Sequence, residues 1–323
     1  MAELTYRPWR EGDDLALNEI WGDPETVQAG AFRGALAPSQ DAGPWRRTIV
    51  AEDQGIAVAA GVVYSTALHA ERLWAYVEVV RDHRGAGVAA TLLAMLRAEA
   101  AAAKAAGLIG TTALRSKVEP GSAGAAFAAA AGLAPLQRSR VVAVSPGTLR
   151  LPVFGEGTEA EATERVQDLA TGSVELTDVV GRYYEAVHAW DPTGPLSVGT
   201  VQRLFLDDLT GAHGALVLRA APESAFGGTV APSKKGKVQA FAVSYTQGAQ
   251  DAPTDVFLGH DPALAPEDAA AAVLDMLALI AHQYPVVLEL DESMVALAAV
   301  VEPLIEAGAA TVRGTETLVV GES

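Results

Sequence analysis

The stretch RLWAYVEVVRDHRGAGVAATLL (72–93) combines an alternating apolar run, a short charged link, a glycine turn and the start of an alanine-rich run. Its two glycines, Gly85 and Gly87, follow basic residues, and after the link the next acidic residue is Glu99. A helix that begins at such a turn presents unpaired backbone N–H groups and the positive end of its dipole. The stretch therefore predicts a strand, an anion-binding turn and a helix, and phosphate is the typical anion.

Composition indicates a globular protein of about two domains. The chain has 323 residues, half of them hydrophobic, and a length of this order suggests about two domains. It lacks an uninterrupted apolar stretch of the roughly 18 residues that a membrane helix needs, and charges fill the N-terminal segment where a signal peptide would be apolar. We therefore expect a cytoplasmic protein without a membrane partner. The absence of cysteine excludes disulfides, thiolate zinc sites and thiol catalysis.

The charge balance excludes one class of partner. The chain has 23 basic and 40 acidic residues, a formal net charge of −17, whereas binding of nucleic acid needs compensating Lys and Arg. The acidic balance suits a role in solubility, and it would mildly favour cationic small molecules. The six histidines are not paired at metal-ligand spacing, so we predict no metal site.

The first part of the chain alternates strand and helix signals in a recognisable order. Residues 29–44, rich in Gly, Ala and Pro, are predicted to be a loop. The predicted elements are a strand at 3–8, a helix at 11–21, strands at 47–53, 57–66 and 72–80, a helix at 88–106, a strand at 109–115, a helix at 121–131 and a strand at 138–144. These elements make a domain of residues 1–146, followed by a connector at 147–172 with a helical piece at 159–169.

The second part, residues 173–323, repeats this order and suggests a tandem duplication. A polar, glycine-rich loop is expected at 223–237. The predicted elements are a strand at 173–178, helices at 179–190 and 201–209, strands at 215–220, 238–245 and 254–259, a helix at 266–284, a strand at 286–291, a helix at 295–308 and a strand at 315–320.

Two common phosphate motifs fit the glycine turn poorly. The nucleotide P-loop ends in GK[ST], which the glycine runs of this chain lack. The dinucleotide pattern G-x-G-x-x-A is satisfied literally by Gly85, Gly87 and Ala90. That pattern needs an acidic residue at the end of the following strand, and the strand predicted at 109–115 ends in Arg115. A nicotinamide oxidoreductase is therefore an alternative with less support.

A third motif fits the whole context. V-x-V, a short link and then R-x-x-G-x-A (Arg84, Gly87, Ala89) before a helix resembles motif A of the GNAT superfamily of acyl-CoA-dependent N-acyltransferases. The element order is also that of the superfamily. The resemblance implies an α/β fold with a mixed sheet, present as two tandem GNAT domains. The counterpart of the turn at 260–273 has no arginine–glycine pair and has acidic residues in the first helical turn, so the second domain resembles a degenerate GNAT domain.

The resemblance implies acetyl-CoA as co-substrate. The backbone of Val77 and Val79 would pair with the pantetheine, and the coenzyme A pyrophosphate would lie against the turn. The residues of the turn are Arg84, Gly85, Ala86, Gly87, Val88 and Ala89. Arg81, at a position where the family usually has proline, is expected to be a solvated charge, and His83 is expected to face solvent.

The chemistry requires a base for the amine and often an acid for the thiolate. Alternation puts Trp74, Tyr76 and Glu78 on one face of their strand, where they form a predicted acceptor pocket. Glu78 is the candidate base, directly or through water; a carboxylate satisfied by a neighbouring Arg or Thr is the alternative. The family's tyrosine acid is replaced by Ala128. Ser122 is a candidate substitute donor, but the N-cap of the next helix is the favoured interpretation.

These residues predict transfer of an acetyl group from acetyl-CoA to a primary amine of a small molecule or peptide, by direct attack in the N-terminal domain. The alternative is a non-catalytic acyl-CoA-binding sensor or scaffold. The C-terminal domain is expected to be structural, completing a shared sheet or closing the acceptor cleft. We expect a monomer or a homodimer.

Overall fold

The structure is a computed structural model that describes residues 4–221, 235–245 and 253–322. Most of the loop predicted at 223–237 therefore lies outside the described residues. The chain forms two compact units. Unit 1 consists of Met1–Arg138, Trp190–Gly194 and Thr317–Ser323, and unit 2 consists of Ser139–Ala189 and Pro195–Glu316.

The first part of the chain follows the predicted order with one additional helix. Its elements are β1 (Thr5–Pro8), α1 (Asp13–Trp21), α2 (Val27–Arg33), β2 (Arg46–Asp53), β3 (Ile56–Tyr64), β4 (Leu73–Val79), a 3-10 turn (Arg81–His83), α3 (Val88–Ala105), β5 (Leu114–Val118), α4 (Ala123–Ala130) and β6 (Ala134–Val144).

The additional helix, α2, corrects the prediction of a loop at 29–44. Thr26 is its N-cap, and the Thr26 hydroxyl accepts a hydrogen bond of 3.0 Å from the backbone N–H of Ala29. Phe32 is buried, which anchors the helix to the protein. The capping signal and one buried aromatic therefore outweigh the Gly and Ala content of the segment.

The sheet of unit 1 runs β1-β2-β3-β4-β5 and continues with the end of β12 (Ala310–Gly321). Neighbouring strands are antiparallel except for β4 and β5. These two pair in parallel only at Leu73 with Leu114 and Trp74 with Arg115. Beyond Trp74, the described residues contain no further pairing between β4 and β5, so the two strands part.

The two faces of β4 pack as the alternation predicts. Leu73, Ala75 and Val79 belong to one core with the buried leucines of α3. Tyr76 packs on the opposite face, in the cluster that contains Leu17 of α1. The prediction that odd-numbered residues of β4 form plain core is therefore confirmed at these three positions.

The second part of the chain contains the same succession of elements. They are α5 (Glu159–Arg165), β7 (Val166–Leu169), α6 (Val174–Val187), α7 (Val198–Val201) with a π-helical turn (Gln202–Leu206), β8 (Ala212–Arg219), β9 (Val238–Tyr245), β10 (Thr254–His260), α8 (Pro266–Ile280), β11 (Val286–Asp291), α9 (Val295–Glu306) and β12.

Two predictions in this part are wrong. Residues 173–178, predicted to be a strand, form the N-cap and the first residues of α6, because Leu176, Val179, Val180 and Tyr183 are buried at helical spacing. The helix predicted at 159–169 ends at Arg165, and the strand begins directly after it as β7. Short apolar runs are ambiguous between helix and strand until their burial is known.

The sheet of unit 2 runs β7-β8-β9-β10-β11 and continues with residues 139–144 of β6. Here β10 and β11 are parallel, and the other pairs are antiparallel. The strand order of unit 1 thus returns in unit 2, and the predicted α/β class with mixed sheets is confirmed. No helix among the described residues has the length and apolar character needed to cross a membrane.

Candidate active site

A cavity of 520 Å³ lies in unit 1, in the gap between β4 and β5. Its walls come from both strands, the glycine turn, the first turn of α3, α4 and the region of α2. The gap exists because the parallel pairing stops after Trp74 and Arg115.

The main chain of β4 presents polar groups to this gap. Leu73 donates its backbone N–H to Ala113 at 2.8 Å, toward β5, whereas Val80 donates to Val58 of β3 at 2.9 Å. Backbone groups alternate in direction along a strand. Val77 and Val79 therefore direct their N–H and C=O groups toward the cavity, as the predicted pairing with an extended pantetheine requires.

The glycine turn lines the cavity, and its backbone is open on that side. Gly85 and Gly87 have φ of +77° and +80°, the left-handed region in which glycine is free of strain. A Cβ at either position would meet no atom within 4 Å, so the space beside the turn is open. Gly87 is the N-cap of α3 without a side-chain cap, which leaves the first N–H groups of the helix available to a ligand.

A carboxylate lies beside the basic residues of the turn. The Arg84 guanidinium donates to the Glu25 carboxylate at 3.2 and 3.3 Å and to the carbonyl oxygen of Val79 at 2.9 Å. Arg81, largely exposed as expected, contacts Glu25 at 3.3 Å. The hydrogen bonds from Arg84 and then Arg81 hold the pKa of Glu25 below its usual value. Glu25 thus forms an ion pair with Arg84, the cationic group predicted to bind phosphate.

Glu78 is held in a buried network on the other face of β4. Arg33 of α2 donates to its two carboxylate oxygens at 2.9 and 2.6 Å, and the Tyr76 hydroxyl donates at 2.6 Å. Burial, followed by the hydrogen bond to Glu78, raises the pKa of Tyr76 well above its usual value. The alternative of a carboxylate satisfied by an arginine is therefore observed, and Glu78 still lines the cavity.

Trp74 and Tyr76 differ in their access to the cavity. The ring of Tyr76 lines it and stacks on Phe32 at 5.0 Å between ring centroids. Trp74 lies under the guanidinium of Arg115, 4.1 Å from the ring centroid. All the residues predicted for the site are described by the structure, and all of them line the cavity except Trp74 and Ala86. Their predicted roles remain predictions.

On the β5 side, Ser122 caps α4. Its hydroxyl accepts a hydrogen bond of 3.1 Å from the backbone N–H of Ala125, which confirms the capping alternative, and Ser122 also lines the cavity. Ala128, the position of the family's tyrosine, is buried in the same wall beside Phe127. The wall that α4 forms is therefore apolar at Phe127 and Ala128.

Sequence reasoning missed several lining or supporting residues: Glu25, Gln28, Arg33 and Lys117. Gln28 and Arg33 lie on α2, and the N-cap residue Thr26 was the sequence signal that could have predicted this helix. His83, expected to face solvent, is half-buried. Its Nε2 lies 3.0 Å from a carboxylate oxygen of Asp53, and it lines the cavity.

No model of a known protein family matches the chain, and no curated protein matches it. Solved structures are similar over nearly its full length. A GCN5-related N-acetyltransferase from Sphaerobacter thermophilus matches 99% of this chain and 95% of its own, with a TM-score of 0.56 and 13% identity. A tandem GNAT protein from the clavulanic acid biosynthesis pathway matches 99% and 98%, with a TM-score of 0.51 and 14% identity.

The fold is that of the GNAT acetyltransferases. Because the tandem protein is matched along its whole length, the predicted fold of two tandem GNAT domains is confirmed. At these identities the likeness is one of fold. The GNAT fold supports an acyltransferase function, and the substrate has to be argued from the site.

Proposed function

We propose that the chain is an N-acetyltransferase that transfers an acetyl group from acetyl-CoA to a primary amine of a small molecule or peptide. The N-terminal domain, residues 1–146, is catalytic, and residues 173–323 form a degenerate GNAT-like domain. The observation that carries the proposal is the cavity between β4 and β5, which joins an unpaired strand edge to an anion-binding helix N-terminus.

The residues present fit an acyl-CoA donor. The N–H and C=O groups of Val77 and the N–H of Val79 suit an extended pantetheine amide chain, while the C=O of Val79 already accepts from Arg84. The turn from Arg84 to Ala89 offers backbone N–H groups, a guanidinium and open space to a pyrophosphate. A diphosphate is favoured at this place because the helix dipole and the cationic side chain act on it together.

The acceptor amine is assigned to the face of β4 that carries Tyr76 and Glu78. The amine nitrogen bonds to the thioester carbon, the carbon–sulfur bond breaks, and the thiolate leaves with coenzyme A. Oε1 of Glu78 accepts one described hydrogen bond, from Arg33, so a lone pair remains for the amine proton or for a bridging water. Arg33 and Tyr76 fix the carboxylate in position, which reduces the entropy cost of aligning it.

A second candidate function is a non-catalytic acyl-CoA sensor or scaffold. Two observations favour it: Ala128 stands where the family has its tyrosine, and Glu78 is engaged by three hydrogen bonds. The donor site is the same in both functions, and they differ only in turnover. Neither function requires a metal, a membrane surface or nucleic acid, and each suits a cytoplasmic monomer or homodimer.

Two measurements test the proposal. A thermal-shift comparison should show stabilisation by acetyl-CoA and none by NAD, because a ligand that binds the native state raises the melting temperature. Release of free thiol from acetyl-CoA should then depend on an added amine, tested with polyamines, amino acids, aminoglycosides and peptide N-termini. Binding with no turnover across this panel would favour the sensor. A shift with NAD alone would contradict both functions.

A further inference from the structure

One of the cavity walls carries a primary amine, that of Lys117 on β5. The chain contains five lysines among its 23 basic residues, and arginine supplies the rest. The five lysines are Lys104, Lys117, Lys234, Lys235 and Lys237. The cavity lining therefore contains a functional group of the type that the proposed reaction consumes, and the group is rare in this chain.

The strand register places Lys117 on the acceptor face. Arg115, two residues earlier on β5, lies over the ring of Trp74 at 4.1 Å. Side chains two residues apart point to the same face of a strand, so Lys117 shares the face of Trp74, Tyr76 and Glu78. The opposite face of β5 is core, because Ser116 and Val118 pair with Val320 and Leu318, which pack against α3.

The same register gives the depth of Lys117 in the gap. Trp74 pairs with Arg115 in parallel, and both strands advance by the same rise per residue. Lys117 is therefore level with Tyr76, one residue before Val77, where the main chain of β4 becomes available to a donor. This is near the closed end of the gap, opposite the glycine turn.

Lys117 also differs from the cationic groups around it in its partners. Arg33 is paired with Glu78, Arg84 with Glu25, and Arg115 with Asp191. Within the described residues, no hydrogen bond or ion pair engages the ammonium group of Lys117, and its side chain is exposed. The amine can therefore move within the cavity without losing a partner.

We propose that Lys117 is a self-acetylation site, modified by the chain's own donor site when no acceptor amine is bound. This inference rests on the proposed function. The Lys117 ammonium first loses a proton to water or to Glu78. The neutral amine nitrogen then bonds to the acetyl carbonyl carbon, and the carbon–sulfur bond breaks. The second N–H proton passes through water to the leaving thiolate, so coenzyme A leaves as the thiol. The product is an amide without charge, which removes one cation from the acceptor face.

The test uses the full chain with acetyl-CoA and no added amine, followed by peptide mass spectrometry over time. Lys104, exposed on α3, is the internal reference for acetylation in solution. Lys117 should be acetylated about tenfold faster than Lys104 or more, because the two reactants share one cavity. The rate per molecule should be independent of protein concentration, and an added acceptor amine should slow it.

Two variants complete the experiment. Lys117→Arg should lose this modification, and Gly87→Asp, which puts a negative charge in the anion site, should reduce Lys117 to the rate of Lys104. Equal rates at the two lysines in a chain that acetyl-CoA stabilises would overturn self-acetylation and leave the proposed function standing. A rate that rises with protein concentration would likewise overturn it. Failure of acetyl-CoA to stabilise the chain would overturn both.

Discussion

The turn between β4 and α3 in unit 1 and the turn between β10 and α8 in unit 2 occupy the same place in the same fold. Each follows a strand of seven residues that has a parallel partner. In unit 1 the helix starts from Gly87 in a left-handed conformation. In unit 2 it starts from Ala265 in an extended conformation, with Pro266 at its beginning and Glu267 in its first turn. Proline removes an N–H, and an acidic side chain repels an anion.

The strands before the two turns differ as well. Leu73 is the first residue of β4 that pairs with its parallel partner β5, and Thr254 is the first residue of β10 that pairs with its parallel partner β11. Counted from these two residues, Glu78 in β4 corresponds to Gly259 in β10. A Cβ at Gly259 would lie 2.5 Å from the ring of Phe241 and 2.6 Å from that of Tyr183. Aromatic side chains thus fill the space on β10 that corresponds to the proposed acceptor face of β4. One backbone plan can therefore hold an open site or a packed core, and a few side chains decide which.

The largest effect is expected from placing a charge at the two helix starts. Gly87→Asp should weaken acetyl-CoA binding at least about a hundredfold, because a like charge beside the helix N-terminus opposes the pyrophosphate and the left-handed backbone disfavours a side chain. Ala265→Asp, the matched change in unit 2, should leave binding unchanged, and aspartate is a good N-cap there. Isothermal titration of both variants measures the difference. Equal loss in both would show that the donor site is not at the turn of unit 1.

The next effect concerns the acceptor face. Glu78→Gln should lower kcat for amine acetylation about a hundredfold, the usual contribution of a general base, with little change in acetyl-CoA affinity. Tyr76→Phe removes one hydrogen bond to the same carboxylate and should cost only a few-fold. Steady-state kinetics with a reactive amine separates the two variants. An unchanged kcat in Glu78→Gln would assign proton removal to another group or to water.

A third prediction compares two glycines that are required for different reasons. Gly259→Ala should lower the free energy of unfolding by about 1–3 kcal/mol, because the methyl group overpacks the aromatic cluster of unit 2. Gly85→Ala meets no neighbour and should cost about 1 kcal/mol from its positive φ alone. Urea denaturation measures both changes. Gly259→Ala should retain acetyl-CoA binding, and its loss would show that the packing of unit 2 supports the donor site.

The smallest effect concerns the carboxylate beside the turn. Glu25→Gln should tighten acetyl-CoA binding about two- to fivefold, because the ligand no longer has to displace the ion pair between Glu25 and Arg84. Exposed ion pairs contribute up to about 1 kcal/mol. Asp23→Asn removes the same charge from the same loop and has no ion pair among the described residues, so it serves as the control. Equal tightening in both variants would attribute the effect to net charge.

The part of the site formed by local sequence could be predicted. The turn and the start of α3 follow from the two glycines between an alternating and an alanine-rich run, and the faces of β4 follow from alternation. Predictions failed where a distant residue decides the outcome. Arg33 and Glu78 are 45 residues apart, and a charge pair across that separation leaves no periodic pattern. The start of α6 was misjudged because its six residues alternate locally, while burial follows the helical period.

The parting of β4 and β5 also has a consequence for amide exchange with solvent. The amides of Val77 and Val79 lack a strand partner among the described residues, in contrast to Leu73, whose N–H is bonded to Ala113. They should therefore exchange hydrogen faster than Leu73 in the free protein. A donor that adds to this edge engages main-chain groups. Slower exchange at Val77 and Val79 on addition of acetyl-CoA would then locate the ligand residue by residue, before any acceptor is known.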